Sequence, residues 1–516
     1  MTSTQATWPS WRSCLGADAL ASVVVFLVAL PLCMGVAIAS GLPPAAGLVT
    51  GIVGGIVVGA LAGSPLQVSG PAAGLAVMVW QLVQEFGVAT LGIIVLLAGV
   101  VQIAAGLFRV GQVFRAVSPA VIHGMLAGIG VLIFASQFHV MLDDSPKGSG
   151  LQNLISIPAA IKSGLVPVDG SFQHQAAIVG VITIVTVLLW VRFAPKKLRL
   201  VPAPLVGVIA GVAAAHSMSF GVKFVNVPDD LLATLQFPTV ESLGSALNPA
   251  VLKAAVAVAI IASAETLLCA TAIDQRHDGP RTNYDRELVA QGVGNSICGV
   301  LGSLPMTGVI VRSSANVEAG ARTRMSAILH GVWILVLVMA APSVLEAIPV
   351  SALAAILVFT GYKLVNPTQA KALWKQGRAE FAIFALTLVG IVGIDLLTGV
   401  ALGVAASFIK LVYTFTHLRI HKVVNGQIVH LHLDGSATFV RLPALAAAFE
   451  SVPRSSELHV HVERLTHVDH AALEVIMGWE RQATRAGGKL VMEWDEVNML
   501  YKRARPVPEL AAVVVD

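Results

Sequence analysis

The feature that most constrains the fold is a series of long apolar runs, of which Ala19–Ser40 is the first. This run holds no charged side chain, and about 20 apolar residues in a helix cross the hydrocarbon core of a bilayer. Only 12% of the residues are charged and the mean hydropathy is +0.81, whereas soluble domains carry about 25% charged residues. We therefore expect an integral membrane protein that is embedded in a lipid bilayer.

The apolar runs predict fourteen spans, and both termini are predicted on the cytoplasmic side of the cell (inner) membrane. The spans are expected at residues 19–40, 45–63, 70–84, 88–107, 118–138, 175–193, 202–219, 251–272, 287–303, 307–319, 326–341, 350–364, 379–394 and 397–416. Lys and Arg cluster in the loops that follow even-numbered spans. The positive-inside rule places loops rich in Lys and Arg in the cytoplasm. The formal net charge of +4 is attributed to these loops, and no nucleic-acid partner is expected.

Two spans are interrupted by Gly and Pro, at Gln67–Gly74 and at Leu304–Asn316. They are the third and the tenth, which is position three of each half if fourteen spans are read as seven plus seven. Short, broken segments at corresponding positions indicate an inverted repeat with a transporter's midplane site. The alternative is that both are kinks in packed helices, which membrane helices tolerate.

The interrupted spans also suggest how a negative solute would be bound. A helix N-terminus presents free backbone N–H groups and about half a positive charge. Helices that open at Gly70–Pro71 and near Thr307–Gly308 could aim these ends at one anion, with hydroxyl donors from Ser69 and Thr307. The sequence therefore predicts an anion-binding pocket between two half-helices.

Two charged residues inside spans are candidates for function, because charge in a bilayer is costly. Arg312 would complete the anion site, or else form a structural ion pair with Glu318 or Glu265, or snorkel to a membrane interface. Glu265 would couple transport to a proton or a sodium ion, unless it forms a static pair with Arg312.

From about residue 416 the chain alternates strand-like and helical pieces, which predicts a small α/β domain with a partly parallel sheet. We expect a membrane domain at 1–415 and a C-terminal domain at 416–516. His430 and His432, and likewise His459 and His461, form H-x-H pairs on predicted strands. Residues i and i+2 share a strand face, so metal binding is conceivable, but a polar face is favoured and no metal site is predicted.

No soluble-enzyme signature is present: the sequence has no P-loop, no G-x-S-x-G and no H-E-x-x-H. The protein is expected not to be an enzyme and to need no cofactor other than a coupling proton or sodium ion. Without a Walker motif, transport would draw its energy from an ion gradient or from the gradient of the substrate.

Four stretches together resemble the sulfate permease (SulP) family of anion transporters. They are Leu30–Leu48, Val68–Pro71, Pro305–Arg312 and Asn283–Asn295. The tail resembles the STAS domain that commonly ends these proteins. The resemblance implies an all-α polytopic membrane protein of fourteen spans in two inverted repeats, a core domain that moves against a gate domain, and a homodimer. The STAS domain would be structural or would dock a cytoplasmic protein, since His470 and Ala471 stand where related switch proteins carry a phosphorylatable Ser.

The resemblance also implies that the first, third, eighth and tenth spans line the anion site. The residues implied in substrate binding are Leu32, Val36, Ser69, Gly70, Pro71, Ala72, Thr307, Gly308, Val309 and Arg312, and those implied in ion coupling are Glu265 and Cys269. Leu32 departs from the Gln that many members carry.

The expected function is secondary active transport of a small inorganic anion, bicarbonate or sulfate, by an elevator-like mechanism coupled to protons or sodium. The alternatives are a C4-dicarboxylate/proton symporter, a passive anion channel, a membrane-anchored regulatory scaffold, and a nucleobase permease of the same fold. Arg312 and the STAS-like tail argue against the last of these.

Overall fold

The computed structural model describes residues 11–112, 118–164, 171–195, 198, 201–226, 235–239, 244–279, 281–495 and 497. The chain divides into two compact units, Met1–Val404 and Ala405–Asp516. The sequence predicts the division between residues 415 and 416, whereas the structure groups the end of the last apolar helix with the second unit.

The described part of the first unit is built from helices and two short strands. In chain order they are α1 (Trp11–Ala39), α2 (Pro44–Leu61), β1 (Ser69–Pro71), α3 (Ala76–Leu107), α4 (Pro119–Met141), α5 (Gly150–Gly164), α6 (Phe172–Phe193), α7 (Ala203–Ser217), α8 (Pro249–Asp274), α9 (Tyr284–Val300), β2 (Met306–Gly308), α10 (Ile310–Glu318), α11 (Met325–Ala340), α12 (Pro342–Glu346), α13 (Val350–Val365), α14 (Pro367–Gln376), α15 (Arg378–Gly393) and α16 (Leu396–Thr416).

Every predicted span overlaps a helix, although α1 begins at Trp11, well before residue 19, and the span predicted at 70–84 begins in β1. Most of the span predicted at 70–84 and all of that at 88–107 lie in α3, whose helical geometry is interrupted at Gly87 (φ 79°, ψ 167°). Among the described residues, eight helices are long and apolar enough to cross a membrane. The all-helical membrane fold is thus confirmed, and the count of fourteen crossings stays a prediction.

The helices of the first unit fall into two groups by their contacts. In one group, α3 packs along α8 and α9, and α1 packs against α2, α10 and α11; in the other, α4 packs along α13 and α15, and α6 along α7. Contacts between the groups are sparse and run mainly through α1 and α13. We call the first the core group and the second the gate group.

At the centre of the core group, two extended segments meet where the sequence predicts two helix starts. β1 and β2 pair antiparallel, with Ser69 opposite Gly308 and Gly70 opposite Thr307. The helices start later, after a 3-10 turn at Ala73–Leu75 and at Ile310. The prediction that helices begin at Gly70–Pro71 and Thr307–Gly308 is therefore wrong, since both helices begin a few residues later. The physical reason is that buried backbone N–H and C=O groups need partners, and the ladder supplies them.

The second unit contains a four-stranded sheet in the order β3-β4-β5-β6, formed by Leu418–Asn425, Ile428–Ala437, Glu457–Val468 and Lys489–Met492. β3 and β4 are antiparallel, whereas β4, β5 and β6 are parallel. Two helices, α17 (Leu442–Glu450) and α18 (His470–Arg485), bury Phe449 and Trp479 against alternate strand residues such as Leu431 and Val460. The predicted α/β domain is confirmed.

Candidate functional site

A cavity of about 50 Å³ lies between the core group and the gate group, beside the β1–β2 ladder. The core group contributes Leu32, Val36, Pro71, Ala73, Gly74, Glu265 and Val309–Arg312, and the gate group contributes Leu126, Ile129, Thr360 and Leu364. Most of this lining is apolar. The charged side chains on it are those of Arg312 and Glu265, so these two residues govern which solutes the cavity can take.

Arg312 is fully buried, yet within the described part of the chain it forms no ion pair. Its Nε and Nη1 atoms have no hydrogen-bond partner there either. Glu318, one of the two carboxylates that could have paired with it, is instead 3.3 Å from Arg276. Because a buried charge is normally paired, a guanidinium without a carboxylate partner could take an anion as its counter-ion.

Two helix N-termini meet the same cavity. α10 begins at Ile310 without a side-chain cap, and its first three residues all line the cavity. The 3-10 turn that leads into α3 also lacks a side-chain cap, and its Ala73 and Gly74 line the same cavity. The first turn of a helix leaves N–H groups without intrahelical partners. The positive ends of α10 and of the turn before α3 therefore add to the positive charge of Arg312 at this cavity.

Glu265 reaches the cavity from the middle of α8. Its two carboxylate oxygens would each lie 3.0 Å from a Cβ at position 74, so they pack directly against Gly74. The Thr307 hydroxyl lies beside the carboxylate, but Oε2 of Glu265 has no well-aligned hydrogen bond from any described residue. A carboxylate that is open on one side can take up a proton or face a cation.

Several predicted site residues do not line the cavity. Gly70 lies against the Arg312 guanidinium, and Gly308 donates its N–H to Thr266 Oγ1 over 3.1 Å. Ser69 Oγ accepts a hydrogen bond from Gln291 Nε2 over 2.6 Å, and Cys269 Sγ donates to Ser313 Oγ over 3.5 Å. The remaining two, Ala72 and Thr307, are also off the lining. These residues shape or support the ladder behind the cavity, and their roles in binding or coupling stay predictions.

Asn295 fixes the position of β2. Its amide accepts from Met306 N over 2.7 Å and donates to Met306 O over 3.1 Å. The same amide donates to Gln102, which in turn donates to Ser263. Three helices, α3, α8 and α9, are thereby connected to the strand that carries Thr307.

Glu287 fixes the approach to β1. Its buried carboxylate accepts hydrogen bonds from the backbone N–H groups of Gly63 and Ser64, at 2.8 and 2.9 Å. It also accepts from the amides of Gln67 and Gln291, at 3.1 and 3.0 Å. Four donors satisfy one carboxylate, so hydrogen bonds hold the loop before β1 on α9, with no salt bridge to Glu287 among the described residues.

A larger cavity of about 410 Å³ adjoins the small one at Gly74, which lines both. It lies between the core helices α3 and α8 and the residues Ile391 and 394–398, at the end of α15 and the start of α16, and its charged lining residues are Glu85, Lys253 and Asp395. Its α8 residues, which are Ala250, Lys253, Ala254 and Ala257, belong to the first turns of that helix.

The sequence missed the gate side of the cavity, since Leu126, Ile129, Thr360 and Leu364 are ordinary residues of apolar helices. It also missed the supporting role of Glu287, Gln291 and Asn295. Their i, i+4, i+8 spacing places three polar side chains on one face of an apolar helix, a signal that could have identified them.

A family model described as the sulfate permease family matches residues 15–387. The putative sulfate transporter YvdB of Bacillus subtilis is 27% identical over 497 residues, which cover 92% of this chain and 90% of the relative. The bicarbonate transporter BicA of Picosynechococcus sp. is 24% identical over 432 residues, covering 79% of this chain and 72% of the relative. The solved structure of SLC26A9 is similar with a TM-score of 0.69 and 15% identity, over 94% of this chain and 85% of that one.

Proposed function

The chain belongs to the sulfate permease family, and on that premise we propose that it moves bicarbonate or sulfate by secondary active transport. The observation that carries the proposal is the buried, unpaired guanidinium of Arg312 at a cavity with two helix N-termini. All three features attract negative charge. The names of the relatives, which include sulfate and bicarbonate transporters, support the same class of solute.

The size of the cavity favours a small inorganic anion. A volume of about 50 Å³ corresponds to a few water molecules, at about 10–15 Å³ for each. Bicarbonate and sulfate have four and five non-hydrogen atoms, whereas a C4-dicarboxylate such as fumarate has eight. The dicarboxylate symporter is therefore the weaker alternative.

The position of the cavity supports an elevator-like mechanism. The anion would rest on the core group, against Arg312 and the two helix ends, while Leu126, Ile129 and Thr360 of the gate group cover it. Because contacts between the groups are sparse, the core group could slide past the gate group with the anion attached. The adjoining 410 Å³ cavity would be the entrance in the conformation described here.

Glu265 is the proposed coupling residue, with either a proton or a sodium ion as the coupled cation. Its open carboxylate lies beside the Thr307 hydroxyl, and a cation there would sit near the bound anion. With Arg312 and Glu265 both charged, bicarbonate and one cation would leave the site without net charge before it moves, and sulfate would need a second cation. A passive channel would show no such dependence on a gradient.

We propose further that the protein is a homodimer in the cell membrane, with both termini in the cytoplasm and the C-terminal unit as a docking surface. A scaffold without transport is the alternative that this arrangement leaves open.

The experiment that tests transport is uptake into proteoliposomes of labelled sulfate, bicarbonate and fumarate, each with and without a proton or sodium gradient. Accumulation of one inorganic anion only under one gradient would support the proposal. Uptake that merely equilibrates would indicate a channel, fumarate accumulation would indicate the dicarboxylate symporter, and no uptake of any anion would overturn the transport function.

A further inference from the structure

The sheet of the second unit has one face that carries an unusual set of imidazoles. Register places His430 opposite His459 and His432 opposite His461 on the parallel strands β4 and β5. His421 on β3 lies opposite His432. Since directly opposed residues share a face of the sheet, five histidines lie on one surface. The sequence shows two H-x-H pairs, but only the register brings them side by side.

This face is accessible in the second unit. The alternate residues Val429, Leu431, Leu458 and Val460 are buried against α17 and α18, so the histidines point to the opposite side. The side chains of His459 and His461 are 28% and 31% exposed to solvent. A solute can therefore reach the rings.

The spacing of the rings matches that of ligands on one ion. His430 Nδ1 and His461 Nε2 are 3.1 Å apart, and two imidazole nitrogens that are each about 2.0–2.1 Å from a common metal are about 3 Å apart. The centroids of His430 and His459 are 5.1 Å apart, and those of His432 and His461 are 4.2 Å apart. The ring of His459 thus packs against that of His430, and the ring of His432 against that of His461.

Carboxylates stand behind two of the rings. His461 Nδ1 is 3.5 Å from Glu463 Oε1, and His459 Nε2 is 3.3 Å from Glu457 Oε1. Histidine ligands of a metal commonly donate their second N–H to a carboxylate, which orients the ring and raises its basicity. With Glu463 on Nδ1, the Nε2 atom of His461 is the one left to bind a metal, and it is the atom that faces His430.

We propose that His430, His461 and a third imidazole, from His459 or His432, form a Zn²⁺ site on the exposed face of the sheet. As the side chains stand, no three donors among the described residues surround a single point, so the third ring rotates when the ion binds. Water would occupy the fourth position of a tetrahedral ion. The site is independent of the transport function and would link β4 to β5.

The first test is metal binding by the full-length protein, purified in detergent with a tag that lacks histidine. We expect Co²⁺ to give the visible absorption of a tetrahedral site at one equivalent per chain and to be displaced by Zn²⁺ but not by Mg²⁺, which prefers oxygen ligands. His430→Gln and His461→Gln should each weaken Zn²⁺ binding at least about tenfold. His470→Gln, an exposed histidine on α18, is the matched control and should leave binding unchanged.

The second test needs no variant and remains valid if a variant misfolds. Diethyl pyrocarbonate modifies accessible imidazoles, and mass spectrometry assigns the modified positions. Zn²⁺ should protect His430 and His461 while His470 reacts as before. Equal modification with and without Zn²⁺, or Zn²⁺ binding that persists in the His430→Gln/His461→Gln double variant, would overturn the site and leave the 3.1 Å contact as a hydrogen bond between two rings.

Discussion

The guanidinium of Arg312 occupies the space that a side chain at Gly70 would need. Arg312 lies on α10, in the tenth predicted span, and Gly70 lies on β1, in the third. The absence of a side chain at Gly70 leaves the space that the guanidinium fills. The antiparallel pairing of Gly70 with Thr307 brings the two together.

Gly70→Ala is expected to reduce anion uptake at least about tenfold. The added methyl group would displace the guanidinium, and displacement of a binding group by about 1 Å can cost as much as 100-fold. Initial uptake rates in proteoliposomes measure the effect. Gly393→Ala is the control, because a Cβ at position 393 meets open space. Equal rates for the two variants would show that Arg312 does not depend on its present position.

Arg312→Gln should separate binding from stability. Loss of charge-assisted hydrogen bonds of about 1.5–3 kcal/mol predicts anion binding that is about 10- to 100-fold weaker. The fold should not suffer, because the variant removes an unpaired buried charge. Calorimetry gives the Kd, and thermal unfolding should show that sulfate or bicarbonate raises the Tm of the native protein but not of the variant. Arg276→Gln, at an exposed ion pair, should behave like the native protein; an Arg312→Gln variant that still gains Tm from the anion would contradict the site.

Glu265→Gln is expected to abolish accumulation against a gradient while exchange of labelled for unlabelled anion continues. The amide keeps the shape of the side chain but can neither take up a proton nor balance a cation. Gradient-driven uptake and counterflow, measured on the same vesicles, distinguish the two activities. Glu318→Gln is the matched control on the exposed pair with Arg276. Accumulation at the native level in Glu265→Gln would remove this carboxylate from coupling.

Glu287→Gln should lower both stability and transport. The glutamine side chain would place an N–H group where a carboxylate oxygen now accepts hydrogen bonds, so at least one surrounding donor would lose its acceptor. An unsatisfied buried polar group costs about 1–3 kcal/mol. We expect a lower Tm together with a lower uptake rate, because the loop before β1 loosens. Glu346→Gln, at an exposed glutamate on α12, should change neither quantity. A variant with the native Tm and reduced uptake would instead give Glu287 a direct role in transport.

The histidine face predicts a pH dependence of the second unit. Partial desolvation, followed by the neighbouring His459, His461 and His432, lowers the pKa of His430 from its usual value near 6.5. The unfolded state therefore binds more protons than the folded state just below pH 6.5, and stability is lost as the pH falls through that range. Hydrogen exchange of β4 and β5 in the metal-free full-length protein, corrected for intrinsic rates, should show less protection at pH 5.5 than at pH 7.5. The difference should shrink in His430→Gln; identical protection at both pH values would contradict the lowered pKa.

Much of the fold was predictable because hydrophobicity reports directly on burial in a bilayer. Each apolar run became a helix, and the two Gly/Pro-broken segments at 67–74 and 304–316 were recognised from composition alone. Arg312 and Glu265 also stood out, since charge within an apolar run is rare. The β1–β2 ladder was not predicted, because three extended residues leave no periodicity and the partner strand lies in the other half of the chain.

The sequence by itself determined that this is a polytopic membrane protein with an α/β tail, and which charges lie within its spans. Only the tertiary structure decided that Arg312 has no carboxylate partner among the described residues, that Ser69 and Cys269 do not line the cavity, and that four histidines of two strands share one patch. The physical reason is that apolar patterning is a local property of the chain. Pairing of charges and register of strands depend instead on which distant segments are packed together.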